Sequence, residues 1–120
     1  MTSVTELDFS DSDLSAISNN AFTGMAGLVT LNLAWNRITA DGLPSGCFAG
    51  LTGLRNLYLH ENALQSLPID FLVGLTQLDK LTLLGAPQLS CFLVLFVFAL
   101  LFLLAHLQLG QLQRFLTMYL

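Results

Sequence analysis

The sequence repeats itself at a nearly constant spacing. Four similar segments open at Val4, Leu28, Leu54 and Leu78, which lie 24, 26 and 24 residues apart. The apolar residues three and five places further on are Leu7 and Phe9, Leu31 and Leu33, Leu57 and Leu59, and Leu81 and Leu83. A chain that repeats at a period of about 20 to 50 residues folds as a stack of similar units, because one unit alone cannot bury its apolar face.

Each repeat is numbered here from its opening residue, which is position 0. Apolar residues at positions 3 and 5 predict a short strand whose side chains at these positions face inward, while positions 2, 4 and 6 face outward. Stacked repeats then form a parallel sheet over a core of positions 0, 3, 5 and 10, the last being Leu14, Ile38 and Leu64 in the first three repeats. Phe48 and Phe71 are expected to fill the core on the opposite, convex side.

Position 8 is an asparagine, Asn36 or Asn62, in the two central repeats, whereas the outer repeats carry Ser12 and Ala86 there. Because this position follows the strand, where the chain turns, its amide is expected to satisfy backbone groups that the turn leaves unpaired. The second repeat has two additional residues around Asp41–Gly42, a turn-like insertion that is expected on an outer loop.

These residues resemble the leucine-rich repeat family, in the 24-residue type found in receptor and adhesion ectodomains. The resemblance covers residues 4–90, about three and a half repeats. It implies an α/β solenoid, an arc with short parallel strands on its concave side. Residues 85–91 are similar to the start of the C-terminal cap of secreted members, with Ala86 replacing the expected asparagine, and no recognisable N-terminal cap precedes Val4.

An apolar segment follows the repeats. Residues 91–105 contain no polar side chain except the thiol of Cys91. Extended to residue 109, a helix here would be about 28 Å long, close to the roughly 30 Å hydrocarbon core of a bilayer. The predicted organisation is therefore a solenoid over 4–90, an apolar, transmembrane C-terminal helix over 91–109 and a short tail over 110–120. Arg114 beyond the span would place the repeats on the extracellular side.

Two other interpretations of the apolar segment remain open. Apolar runs of about 10 to 14 residues also form buried core helices, so the segment could fold back and cap the solenoid. Alternatively, Leu104 could open a fifth repeat with Leu107 and Leu109 at positions 3 and 5, although the preceding phenylalanines would then crowd a convex surface.

Composition and motifs exclude several classes of function. The net charge is −4, and the few basic residues are scattered, so no basic face exists for nucleic acid. Cys47 and Cys91 have neither the number nor the spacing of a disulfide framework or a metal site. His60 and Glu61 begin like a zinc-protease motif, but Leu64 stands where the second histidine would be needed. No catalytic motif, metal site or cofactor is therefore predicted, and the chain is not expected to be an enzyme.

The outward-facing strand residues are the candidate binding site, since tryptophan and tyrosine are enriched where partners bind. The register sets Asn32 beside Tyr58, and Trp35 beside Glu61 with His60 next to them. The predicted partner-binding residues are Trp35, Tyr58, His60, Glu61, Asn32, Asp8 and Asp11. Two alternatives stay open: the face is ordinary solvated surface, or Trp35 packs on Arg37 or a neighbouring loop.

The sequence thus predicts a protein-recognition module that belongs to a receptor-like or adhesion-type membrane protein. It would bind a protein or peptide partner on its concave face, with a basic group of the partner drawn to Asp8, Asp11 and Glu61. The alternative is a soluble leucine-rich repeat adaptor whose apolar tail caps the solenoid.

Overall fold

A computed structural model of the chain describes residues 4–65, 72 and 74–83. These residues contain four strands of three residues each: β1 (Glu6–Asp8), β2 (Thr30–Asn32), β3 (Asn56–Tyr58) and β4 (Lys80–Thr82). The strands form one sheet in chain order, and all neighbours are parallel. Turns make up the convex side of the described ranges, which contain no helix. The predicted stack of parallel strands is confirmed.

The register of the sheet aligns equivalent positions of successive repeats. Leu7 is opposite Leu31, Leu31 opposite Leu57, and Leu57 opposite Leu81. In the second, third and fourth repeats the leucines at positions 0, 3 and 5 are all buried, as are Ile38 and Leu64 at position 10. On the convex side the Phe22 and Phe48 rings stack, with their centroids 5.9 Å apart. The predicted core is confirmed in these repeats, while Phe71 lies outside the described residues.

The first repeat departs from the predicted core. Val4 is 55% exposed and Phe9 41% exposed, and Leu7 and Leu14 are only partly buried. The expectation that Val4 and Phe9 are core residues is therefore wrong. β1 is the outer strand of the described sheet, with β2 as its neighbour on one side. Because a repeat buries its apolar face against the repeats on both sides, the first repeat, which packs against the second alone within the described sheet, leaves part of that face uncovered.

Ala34, at position 6, was expected to face outward but is 1% exposed. The same position in the flanking repeats holds Ser10 and His60. Strands in a sheet lie about 4.8 Å apart, so a side chain as short as a methyl group is covered when longer ones stand on both sides. A side chain at an outward-facing position of the repeat is thus not always exposed to solvent.

The insertion in the second repeat forms a turn, in which the amide of Gly42 donates to the Thr39 carbonyl at 3.0 Å. Asp41 is exposed, as expected for an outer loop, but Gly42 is buried against the first repeat. Its carbonyl accepts a hydrogen bond from the Ile17 amide at 2.8 Å. A Cβ atom at Gly42 would lie 2.3 Å from the Ser15 carbonyl oxygen, so the close approach of the two backbones requires glycine here.

The predictions for residues 85–120 fall outside the described part of the chain. They concern the cap-like stretch at 85–91, the helix at 91–109 and the tail at 110–120. Among the residues that are described, no helix has the length and apolar character needed to cross a bilayer.

Candidate functional site

The candidate binding surface begins where the chain leaves each strand. Position 7 is Asp11, Trp35 and Glu61 in successive repeats, and all three have a positive φ, of 53°, 58° and 57°. A positive φ is uncommon for a residue with a side chain, so the same tight turn recurs at the end of each strand. The Asp11 amide donates to the Ala34 carbonyl at 3.1 Å, and the Trp35 amide donates to the His60 carbonyl at 3.0 Å. Position 7 is therefore a row that runs across the repeats.

The buried asparagines at position 8 hold this turn in place. Asn36 Oδ1 accepts from the amides of Ser12 (3.0 Å) and Leu14 (2.9 Å) in the first repeat. Its Nδ2 donates to the carbonyls of Phe9, Leu33 and Ala34. The amide side chain thus joins its own repeat to the preceding one. The predicted pairing of the asparagine with backbone groups of the turn is confirmed.

Asn62 repeats this arrangement one unit later. Its Oδ1 accepts from the Ile38 amide at 3.0 Å, and its Nδ2 donates to the carbonyls of Leu33 (2.9 Å), Leu59 (3.0 Å) and His60 (3.4 Å). The two asparagines consequently set the backbone from which Trp35 and Glu61 project.

A second row, at position 4, crosses the strands themselves. It contains Asp8, Asn32, Tyr58 and Thr82, paired in register. Asp8 Oδ1 accepts from the amide (2.9 Å) and hydroxyl (2.6 Å) of Ser10, and Asn32 Oδ1 accepts from the Ala34 amide at 3.0 Å. The hydroxyl bond, followed by the amide bond, lowers the pKa of the Asp8 carboxyl. Asp8 therefore keeps its negative charge at lower pH than an ordinary aspartate.

A cluster of polar and aromatic side chains lies on the concave surface, on β3 and β4 and just after β3. The Tyr58 and His60 rings meet edge to face, with centroids 6.2 Å apart. Lys80 Nζ lies 5.2 Å from the centroid of the Tyr58 ring, and His60 Nδ1 is 2.7 Å from the Thr82 hydroxyl oxygen. These contacts fix the orientation of Tyr58 and His60, which a rigid anchor for a partner requires.

Lys80 and Thr82 were not among the predicted site residues. The repeat register holds the signal that finds them: Thr82 shares position 4 with Tyr58, and Lys80 lies two residues before it on the next strand. A lysine side chain reaches a diagonal neighbour about 7 to 8 Å away on an adjacent strand, so the cation on Tyr58 follows from register and side-chain length.

Trp35 is the most exposed large apolar side chain of the described residues, at 58%. Within that part of the chain, no ring contact joins it to Tyr58 or His60. Arg37 forms an ion pair with Asp13, and both side chains are largely exposed. Trp35 and Glu61 thus share a row beside the Tyr58 cluster, and the indole remains open to solvent.

The concave surface consequently carries charge of opposite sign at its two ends. Asp8 and Asp11 lie in the first repeat, and Lys80 lies in the fourth, with aromatic rings between them. The described residues contain no group of three or more metal-binding side chains. The surface offers stacking area, hydrogen-bonding groups and fixed charges, which are the elements of molecular recognition.

Comparison with known proteins gives the same family as the repeat pattern. A family model described as leucine rich repeat matches residues 40–85. Toll-like receptor 8 of Homo sapiens is 36% identical over 88 residues, a match that covers 63% of this chain and 8% of the receptor. Osteomodulin of Mus musculus is 30% identical over 87 residues, covering 72% of this chain and 20% of the relative. Keratocan of Gallus gallus is 37% identical over 65 residues, covering 54% and 18%.

The chain therefore spans no more than 20% of the length of these three curated relatives. None of the three names denotes an enzyme. The family model and the relatives agree with the repeat spacing, the parallel register and the buried asparagines described above. On this combined basis, the chain belongs to the leucine-rich repeat family.

Proposed function

We propose that this chain is a protein-recognition segment of a receptor-like or adhesion-type membrane protein, and that it binds a protein or peptide partner on its concave face. The binding residues are Trp35, Tyr58, His60, Glu61, Asn32, Asp8 and Asp11. The name of one relative, Toll-like receptor 8, denotes a receptor and supports the receptor-like assignment. The membrane assignment depends on the predicted helix over 91–109.

The observation that carries the proposal is the exposure of Trp35 beside an ordered polar and aromatic cluster. Burial of an exposed indole by a partner removes a large apolar area from water, and central tryptophans dominate many interfaces for this reason. Tyr58 and His60 add a surface whose orientation is already fixed by Lys80 and Thr82. Little side-chain entropy is then lost when a partner binds.

The charges define which partner fits. Asp8 and Asp11 attract a basic group at the first repeat, and Glu61 extends the negative charge toward the centre. The lowered pKa of Asp8 extends that attraction to lower pH than an ordinary aspartate would. The proposal therefore favours a partner with a basic residue next to an apolar or aromatic one.

The test is a binding screen of the full chain against an array of secreted and cell-surface proteins, followed by variants of the surface. For a partner found in this way, Trp35→Ala should weaken binding by about 2 kcal/mol or more, or about thirtyfold in Kd. The folded state should remain intact, because Trp35 contributes little to the core. Tyr58→Ala should also weaken binding of the same partner. It removes the ring on which Lys80 lies, so the position of the lysine changes as well.

Phe9→Ala is the matched control, since Phe9 is also an exposed aromatic residue but lies at position 5, beside the outer strand of the described sheet, and not at positions 4, 6 or 7. It should leave the Kd of that partner unchanged. If a partner binds Trp35→Ala and Tyr58→Ala as tightly as the parent chain, the binding site does not lie on this face. The loop around Asp41 is then the next candidate.

A further inference from the structure

The outward-facing row at position 2 carries charges of opposite sign at its two ends. The row consists of Glu6, Thr30, Asn56 and Lys80, paired in register across the four strands. Asn56 Nδ2 donates to the Thr30 hydroxyl oxygen at 3.0 Å, so the middle of the row is neutral and its polar groups bond to each other. The exposed side chains of the row are the two charged ones.

Lys80 is the cation of this surface that a partner can use. Within the described residues, each of the two arginines pairs with an aspartate, whereas no ion pair involves Lys80. The Lys80 ammonium lies 5.2 Å from the centroid of the Tyr58 ring, which holds the long side chain on the concave face. An ammonium group above a ring keeps its charge and has three donors, so it can also bind an anionic group.

The opposite end of the concave face is negative. Glu6 and Asp8 lie two residues apart on β1, face the same side and are exposed. The Ser10 hydroxyl donates to Asp8 Oδ1 at 2.6 Å, which orients the carboxylate without neutralising it. No ion pair within the described ranges involves either carboxylate. This end of the surface therefore attracts a basic group.

The spacing of the strands sets the distance between the two ends. Neighbouring strands lie about 4.8 Å apart, so the three steps from β1 to β4 cover about 14 Å. An extended segment that crosses the strands rises about 3.3 Å per residue, and its residues i, i+2 and i+4 share one face and span about 13 Å. A basic and an acidic residue four positions apart therefore reach both ends together, and the residue midway lies between β2 and β3.

The middle of the surface favours an apolar side chain at that midway residue. β3 carries the half-buried Tyr58, whose ring contacts His60 edge to face and lies under Lys80. β2 leads to the exposed indole of Trp35. An aromatic or aliphatic side chain placed between these two strands covers ring surface that a polar side chain would leave in contact with water.

On the basis of the proposed function, we infer that the concave site selects an extended partner segment in which a basic and an acidic residue stand four positions apart, with an apolar residue midway. The basic residue lies beside Glu6 and Asp8, and the acidic residue lies beside Lys80. Glu6 and Lys80 are then specificity-determining residues in addition to the seven proposed binding residues.

The probe is a blocked nonapeptide with lysine, phenylalanine and glutamate at its third, fifth and seventh positions and serine elsewhere. In the control peptide, the glutamate and the preceding serine exchange places, so the acid points to the opposite side of an extended segment. Each is titrated into the full chain by calorimetry in a mild nonionic detergent, with empty micelles as the blank. The first peptide should bind about two- to fivefold more tightly, the range for one exposed charge pair. It should also change the emission of Trp35, the one tryptophan of the chain.

Lys80→Gln identifies the group that reads the acidic residue. With this variant the two peptides should bind equally, because the charge that distinguishes them is gone. Arg55→Gln is the matched control: it removes one positive charge at position 1 of the neighbouring repeat, where Asp79 already balances it at 3.2 Å. The difference between the peptides should persist there. Glu6→Gln should weaken both peptides by a similar factor, since both carry the same lysine.

Equal affinity of the two peptides for the parent chain would overturn the inference. A difference that persists in Lys80→Gln, or no binding of the first peptide at about 1 mM, would overturn it as well. The proposed function survives these results if Tyr58→Ala still weakens a partner from the binding screen. Peptide binding that neither changes the emission of Trp35 nor weakens in Tyr58→Ala would place the peptide off the concave face and contradict both proposals.

Discussion

Asn62→Ala offers the sharpest test of how neighbouring repeats are held together. The side chain of Asn62 is buried and bridges the second and third repeats. Its removal leaves the Ile38 amide and the Leu59 carbonyl without the partner that Asn62 provides, and both residues are fully buried. The Leu33 carbonyl keeps a bond from Asn36 Nδ2 at 3.1 Å. Two buried backbone groups thus lose their partner.

The expected cost follows from these contacts. An unsatisfied buried polar group destabilises a fold by about 1 to 3 kcal/mol, so Asn62→Ala should lower the free energy of unfolding by about 2 to 6 kcal/mol. Small domains are stable by only about 5 to 15 kcal/mol, so this loss is large. Asn36→Ala should cost less, because Ser12, whose amide would lose its partner, is exposed and water can replace that bond.

The assay is equilibrium urea unfolding followed by far-ultraviolet circular dichroism, with Asn56→Ala as the matched control. Asn56 undergoes the same substitution on β3, but its side chain donates one bond, to the Thr30 hydroxyl at 3.0 Å, and is only half-buried. It should cost about 1 kcal/mol or less. Equal losses for Asn62→Ala and Asn56→Ala would refute the reasoning, since burial and the number of backbone partners would then be irrelevant.

Three other predictions concern packing and the tail. Leu57→Ala, in the fully buried centre of β3, should cost about 2 to 5 kcal/mol in the same unfolding assay, and a cost below 1 kcal/mol would contradict the core assignment. Gly42→Ala should destabilise more than Gly50→Ala, because an added Cβ would lie 2.3 Å from the Ser15 carbonyl oxygen at Gly42 but 3.6 Å from the Phe22 carbonyl oxygen, an ordinary contact, at Gly50. The predicted helix over 91–109 should keep the full chain in the membrane pellet after carbonate extraction, and release into the supernatant would favour the capping alternative.

The repeat pattern predicts those features of the fold that recur in every repeat. The pairing of Leu31 with Leu57 and the bonds of Asn36 follow from position alone, because each central repeat meets the same neighbours. Phe9 was misassigned for the opposite reason. Its position in the repeat is that of a core residue, but burial at that position requires a preceding strand, which the described sheet does not contain.

The candidate site was harder to predict, because its contacts depend on the sizes of side chains in adjacent repeats. The alternation of residues along one strand predicts the neighbours of Tyr58 along its row, whereas the lysine that lies diagonally over its ring is found only when the register of β4 and the length of the lysine side chain are added. It also gives Ala34 an outward direction, although Ser10 and His60 on either side leave it covered. Exposure and contacts on a sheet surface depend on three strands at once, whereas a repeat pattern describes one strand at a time.

The architecture separates recognition from stability. Every residue of the proposed concave site lies at position 4, 6 or 7, whereas the buried leucines on and beside the strands lie at positions 0, 3 and 5 and the buried asparagines at position 8. Because these sets do not overlap, Trp35 can be exchanged without loss of the core, and Leu57 cannot be exchanged without risk to the fold. A surface built in this way gains its specificity from whichever residues occupy the rows at positions 4 and 7. Because the first repeat is negative and the fourth repeat carries Lys80, the charge of the surface changes sign along the solenoid. A partner of uniform charge would not match both ends of this surface.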